Sequence, residues 1–296
     1  MVFKRNLKRG MSGSDVRYMK DLLFQGGYYA PTVLAIRKDN FGDDTLRAVR
    51  AFQRVNVDAN GKRLAVDGVI GRKTWAAIEL GGTIERDESI PLNIGPAAAR
   101  AIAPELMRVS EPPRQLMLEA LSFAFDPAVP SEFPLSLYIR GGNLYNTDLR
   151  LNVITPARIE SGAKRQPQYY SNGRKAMMLR AVEANPEITG ADCSGGIVGL
   201  LRSYGLVKPS FDVTADMFNS NQYSRKIAAS ELLPGDFVGR PGHIGLYAGG
   251  GYVVEWMGGA YGCQLSRLSA RSGFNFVTQR TRRQSAWTKY RRPSFY

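Results

Sequence analysis

A chain of 296 residues with 44% apolar and 22% charged side chains is long enough for two cores and too apolar to be disordered. Its net charge of +14 favours a polyanionic partner: a cell-wall polymer, nucleic acid or a membrane surface. Two cysteines provide no disulfide framework, and one histidine with two scattered cysteines offers no ligand pair at metal spacing, so neither a metal nor another cofactor is expected.

The first ten residues are basic but lack the apolar stretch of a secretory signal, and no run approaches ~18 apolar residues. A chain of this kind is expected to be made in the cytoplasm without a signal peptide. Residues 1–81 read as a small helical unit. Ser14 is placed to cap a first helix carrying Val16, Met19, Leu22 and Leu23 at helical spacing, with Gly26-Gly27 ending it. A pattern then occurs twice: Phe41-Gly42-x-x-Thr45-Leu46-x-Ala48 and Ile70-Gly71-x-x-Thr74-Trp75-x-Ala77. In each, a glycine turn and a capping Asp or Thr are expected to launch a helix, which predicts a three-helix bundle with Phe52 and Trp75 in its core.

These strings, with Leu7-x-x-Gly10-x-x-Gly13-x-x-Val16 before them and Asp67-Gly68 before the second, resemble a peptidoglycan-binding domain of the small three-helix type. The resemblance spans nearly all of residues 7–79, with a longer stretch than usual from Tyr28 to Asn40. It implies peptidoglycan as a partner.

Residues 82–108 contain Gly82, Pro91, Gly95-Pro96 and Pro104 and are expected to be a proline-stiffened linker. The remainder, 109–296, is expected to be one further domain. Its first helix restarts near Pro113 with Leu116, Met117, Ala120, Leu121 and Ala124 facing inward. Residues 128–160 read as strands and turns without a chemical motif.

In Asp192-Cys193-Ser194-Gly195-Gly196, a cysteine opens an apolar helical run. A helix start sets free N–H groups and positive dipole beside the sulfur, which predicts a lowered thiol pKa, and the small residues after it would admit a substrate backbone. The sole histidine, His243, lies in Gly242-His243-Ile244-Gly245-Leu246-Tyr247, after the Pro234-Gly235-Asp236 turn, and Gly249-Gly250-Gly251 signals a hairpin into Tyr252-Val253-Val254-Glu255-Trp256. With a three-residue loop, Ala248 to Gly250, Tyr247 pairs with Gly251 and His243 falls opposite Glu255; a two-residue loop would instead set Trp256 opposite it and turn Glu255 away. The first geometry makes a triad: Cys193 as nucleophile, His243 as base, and Glu255 orienting the imidazole.

Asp-Cys-Ser-Gly, Pro-Gly-Asp, and Gly-His-x-Gly-x-Tyr followed by Gly-x-Gly-Tyr-Val-Val resemble the NlpC/P60 family of cell-wall cysteine peptidases over roughly residues 165–265. The family's third catalytic position is usually His, Asn or Gln, where this chain has Glu255. The resemblance implies a papain-like α+β domain, cleavage of a stem-peptide amide bond beside γ-D-glutamyl, substrate recognition by Asp192 and Ser194, an upstream aromatic at Tyr170, and an oxyanion site at the Cys193 N–H. The whole chain is then α+β: an all-α bundle followed by the papain-like domain.

From Trp256 onward there are eight Lys or Arg and no Asp or Glu, a tail that is either a solvated surface or a contact for anionic wall polymers. No nucleic-acid recognition motif accompanies the charge, so nucleic acid is not expected as a partner. A thiol amidase acting at N-acetylmuramoyl-L-alanine, or a phage tail or baseplate component carrying a lytic domain, are the other readings. Reaching the wall would require holin-type release or delivery with a virion.

Overall fold

Val16, Met19 and Leu23 recur at helical spacing, and they form the buried face of α1 (Ser14–Gln25). The computed structural model describes residues 1–26, 28, 39–60, 62–81, 90–129 and 131–296, so Gly27 and most of the Tyr28–Asn40 stretch lie outside the described residues. The chain divides into Met1–Leu92 and Asn93–Tyr296. In the first unit, α2 (Asp43–Val55) and α3 (Arg72–Glu79) join α1 around Leu46, Val49, Phe52, Trp75 and Ile78. Leu7 and Ile70 exchange backbone hydrogen bonds of 3.1 and 2.9 Å, tying the chain start to the turn before α3. Phe52 and Trp75 are buried core residues, as their spacing predicts.

The expected caps are not observed. Gly13, Gly42 and Gly71 occupy the N-cap positions without a side-chain cap, and Ser14 is the first helical residue. Glycine is accepted there because it leaves the first-turn N–H groups open to water, and Asp43 and Asp44 suit the positive end of α2. The repeated threonines instead lie within the first turn of each helix, as its third residue, and are buried.

The second unit begins with a helix in the stretch expected to be linker. Pro96 sits in the first turn of α4 (Pro96–Leu106), where its missing N–H costs nothing, and Ala98, Ile102 and Leu106 are buried. The stretch is part of the core because its small apolar residues recur at helical spacing; residues 82–89 lie outside the described residues. Next comes α5 (Glu111–Phe123), burying Leu116, Met117, Ala120 and Leu121. The motif-free region contains β1 (Ser136–Tyr138) and α6 (Pro156–Arg165); α7 (Arg174–Ala184) and β2 (Thr189–Ala191) follow, and β1 and β2 pair in parallel.

After β2 the chain enters α8 (Cys193–Ser203) and the short α9 (Ala215–Phe218), then β3 (Ser224–Lys226), β4 (Phe237–Arg240), β5 (His243–Gly249), β6 (Tyr252–Trp256) and β7 (Cys263–Arg267). A hairpin of β8 (Ser272–Asn275) and β9 (Arg280–Arg283) precedes β10 (Lys289–Pro293). The main sheet is antiparallel in the order β3-β10-β4-β5-β6-β7. Helices and an antiparallel sheet occupying separate layers make this unit, with the helical first unit, an α+β chain. No helix of the described residues is long and apolar enough to cross a membrane.

Glycines set how closely α8 lies on its neighbours. A Cβ at Gly196 would overlap the Trp256 ring, and one at Gly195 would overlap the Gly142 carbonyl oxygen. They serve helix packing rather than substrate approach. Gly199 gives a clean test, because Gly→Ala inside a helix ordinarily stabilises by about 1 kcal/mol. Its Cβ would stand 2.8 Å from both Leu144 N and Leu144 Cβ. Gly199→Ala should therefore destabilise the second unit by about 1–3 kcal/mol in urea unfolding. An unchanged or raised midpoint would contradict this packing.

Candidate active site

The site is assembled where the start of α8 meets β5. Asp192 is the N-cap of α8: its Oδ1 accepts from Gly195 N at 2.8 Å and Ser194 Oγ at 3.1 Å, and its Oδ2 accepts from Gly141 N at 2.8 Å. The loop after β1 is thereby bound to the helix start, reinforced by Asp192 N to Gly142 O at 2.9 Å and Leu144 N to Gly195 O at 3.0 Å. Asp192 and Ser194, assigned to substrate by the family resemblance, have their polar atoms engaged in holding this corner.

Cys193 is thus fixed at the first turn of α8, only 7% exposed, with Sγ 4.0 Å from the Gly242 carbonyl oxygen. The backbone N–H groups of Ile244, Ser194 and Cys193 face the sulfur. Pro241-Gly242 forms the turn between β4 and β5, and Gly242 has φ 68°, a conformation that favours glycine. The sulfur therefore lies against the backbone on either side of His243. Burial, followed by the Asp192 charge, pushes the thiol up to about 12 despite those N–H groups. The lowered pKa expected from a helix start is not found, because desolvating the thiolate outweighs the N–H groups and dipole beside it.

His243 is 8% exposed, and its Nε2 lies 2.7 Å from Glu255 Oε2. The hairpin places the two on one face through a register different from either expectation. Leu246 pairs with Val254 and Tyr247 with Val253; Gly250 and Gly251 make the turn, and a bulge leaves Ala248 unpaired. Continued along the strands, this register sets Gly245 opposite Glu255, so His243 and Glu255 are diagonal neighbours. Gly245 leaves room for that diagonal, since a Cβ there would stand 3.2 Å from the Glu255 Cβ.

Glu255 has three partners. Oε1 accepts from Ser266 Oγ at 2.5 Å and Arg271 Nε at 2.8 Å, and Arg271 Nη2 donates to Oε2 beside the imidazole. Burial alone would raise the carboxyl, but the bonds from Arg271 and His243 outweigh it and bring it down to about 2. An ionised Glu255 only accepts, so His243 Nε2 carries the hydrogen and Nδ1 is the basic nitrogen. Trp287 completes the setting: the imidazole stacks on its ring at 5.5 Å and 11°, and the Arg271 guanidinium lies 4.4 Å from the ring centroid.

Tyr170 packs against the core cluster around α6 and α7, its ring against Gly162. Tyr138 is the aromatic beside the cysteine: burial, then the Cys193 and Asp192 charges, push its hydroxyl upward. Arg140 lies 4.7 Å over the Tyr169 ring next to it. The basic tail is not one patch. Arg271 is in the site, Arg292 pairs with Asp236 at 2.8 Å, Arg291 bonds Ser224 Oγ at 2.7 Å, and Arg267 stacks on Tyr252. Arg280, Arg282 and Arg283 of β9 stay exposed. Among the described residues, no cluster of three or more His, Cys, Asp or Glu could hold a metal ion.

With this geometry in view, the chain can be set beside the known proteins that it is similar to. Residues 12–78 match the family model described as "Putative peptidoglycan binding domain". A solved structure described as "Crystal structure of Burkholderia AP3 phage endolysin" is 21% identical, the match covering 55% of this chain and 63% of that one, with a TM-score of 0.22. The matched part is thus less than two thirds of that endolysin. No curated protein matches the chain.

Glu255 links the site to stability. Its folded value of about 2 lies below the ordinary 4.5, so its stabilisation is complete above pH 4.5 and is lost as pH falls toward 2. The urea midpoint of the second unit should drop through that window, and Glu255→Gln should flatten the drop. Parallel curves for the two proteins would contradict the assignment.

Proposed function

We propose that the protein is a peptidoglycan hydrolase whose second unit is a cysteine endopeptidase of the NlpC/P60 type. The observation that carries this reading is the Cys193 sulfur, at a helix start, against the backbone flanking a histidine whose Nε2 is fixed by a buried carboxylate. The match of residues 12–78 to a peptidoglycan-binding family supports peptidoglycan as the partner of the first unit.

The reaction begins with Cys193 Sγ attacking the carbonyl carbon of a stem-peptide amide while its proton passes to His243 Nδ1. A thiol held up to about 12 is almost wholly protonated at neutral pH, so attack and proton transfer are coupled. The Cys193 N–H faces the developing oxyanion. His243 then protonates the leaving amine as the C–N bond breaks, leaving an acyl-thioenzyme. Water, deprotonated by His243, adds to the thioester, and the thiol departs with the proton returned. Glu255 stays ionised throughout and stabilises the transient imidazolium. The bond cut is the one beside γ-D-glutamyl, and Tyr138 and Tyr169 line the approach. Arg280, Arg282 and Arg283, with the exposed Arg267, are open to anionic wall polymers. The protein reaches the wall by holin-type release or with a virion.

Cys193→Ala should abolish turnover of purified sacculi while wall binding persists; full turnover by that variant would overturn the thiol mechanism. His243→Ala should lower the rate by a factor of about 1,000, and Glu255→Gln by less. Mass spectrometry of the released muropeptides reads the bond cut, and an N-acetylmuramoyl-L-alanine scission would replace the endopeptidase with an amidase.

A further inference from the structure

Arg271 forms no part of any recognised motif, and it is the most confined basic side chain near the site. It is 4% exposed. Nε and Nη2 grip the two oxygens of Glu255, Nη1 donates to the Ser285 carbonyl at 2.9 Å, and the guanidinium plane rests on Trp287. The imidazole is stacked on the same indole and bonded to the same carboxylate. Four side chains thus form a closed ring of contacts: His243 to Glu255, Glu255 to Arg271, Arg271 to Trp287, and Trp287 back to His243.

We propose that Arg271 is a positioning residue that fixes the plane of Glu255 and cancels its charge, so that the imidazole is oriented by a carboxylate without facing a net negative one. A lone buried carboxylate 2.7 Å from a histidine would favour the imidazolium, the form that cannot accept the thiol proton. A bidentate guanidinium supplies one compensating positive charge and a fixed geometry, which a single-point ammonium would not. Trp287 holds both ring planes.

The other charged and titratable groups around this ring do not take over that role. Arg240 is the cross-strand neighbour of His243 on β4, but the bonds to the Glu255 oxygens come from His243, Ser266 and Arg271. The Cys193 thiol lies across the site and Cys263 lies behind Glu255 on β7; burial pushes both upward, so both are neutral near pH 7. Asp216 accepts from the Gly242 N–H at 3.0 Å, at the turn before the histidine. Arg271 is the cation in contact with Glu255.

The proposal rests on the thiol-hydrolase reading for its consequence but not for its test, because the chain has one histidine. Isotope-labelled histidine in the full-length protein gives a single imidazole titration by NMR, whether or not the protein has activity. Arg271→Met should raise the His243 midpoint by about one pH unit, and Glu255→Gln should lower it by about the same amount. The double variant, neutral at both positions, should return close to the wild-type midpoint. An unchanged midpoint in Arg271→Met would overturn the proposal. If that variant does not fold, the other two decide: no fall in Glu255→Gln, or no return in the double variant, overturns it equally. The acid limb of sacculus turnover should move with the NMR midpoints. Should the midpoints move while Cys193→Ala digests walls at the wild-type rate, the thiol reading fails and the role of Arg271 stands.

Discussion

The carboxylate of Glu255 is fully enclosed and receives hydrogen bonds from Ser266, from two nitrogens of Arg271 and from His243. An ion taken out of water costs several kcal/mol unless such partners surround it, and removing one of them typically costs about 3–5 kcal/mol. The requirement reaches across the fold. It draws Ser266 from β7, Arg271 from the segment before β8 and His243 from β5 onto one point of β6. The imidazole is oriented because the carboxylate must be satisfied, and the carboxylate is satisfied because the sheet brings these strands into adjacent register.

The thiol is governed by the opposite balance. Cys193 sits where a helix dipole and free N–H groups favour a thiolate, yet burial and the Asp192 cap push it upward. Asp192 is nonetheless indispensable to the geometry, since its carboxylate joins the start of α8 to the loop after β1. The sulfur is held in place at the cost of its acidity. A neutral imidazole nearby, able to take the proton as the carbon–sulfur bond forms, is what such a thiol needs.

Local patterns in the sequence carry most of the fold and the two central residues. The helical spacing of Val16, Met19 and Leu23 foretells α1, and Gly249-Gly250-Gly251 foretells the β5–β6 hairpin. What escapes is whatever depends on bulges or distant segments. A turn at Gly250-Gly251 and one bulged residue, Ala248, together make His243 and Glu255 diagonal instead of opposite, although both stay on one face. Pro96 and Pro104 make residues 96–106 look like linker, while Ala98, Ile102 and Leu106 make them a packed helix. Arg271 and Trp287 reach Glu255 and His243 from segments without periodicity and are read as tail. One signal was available: Glu255 stands in the apolar run Val253-Val254-Glu255-Trp256, and a carboxylate in a buried strand requires a cation.

The central claim is that Cys193 forms a covalent acyl-enzyme. Acid-quenching the wild-type protein during turnover of a soluble muropeptide, followed by intact-mass and peptide analysis, tests it directly. The expected result is a transient adduct of the acyl fragment on Cys193, removed by hydroxylamine as a thioester should be. Product accumulating with Cys193 unmodified at every time point, under conditions that preserve a synthetic thioester, would contradict it.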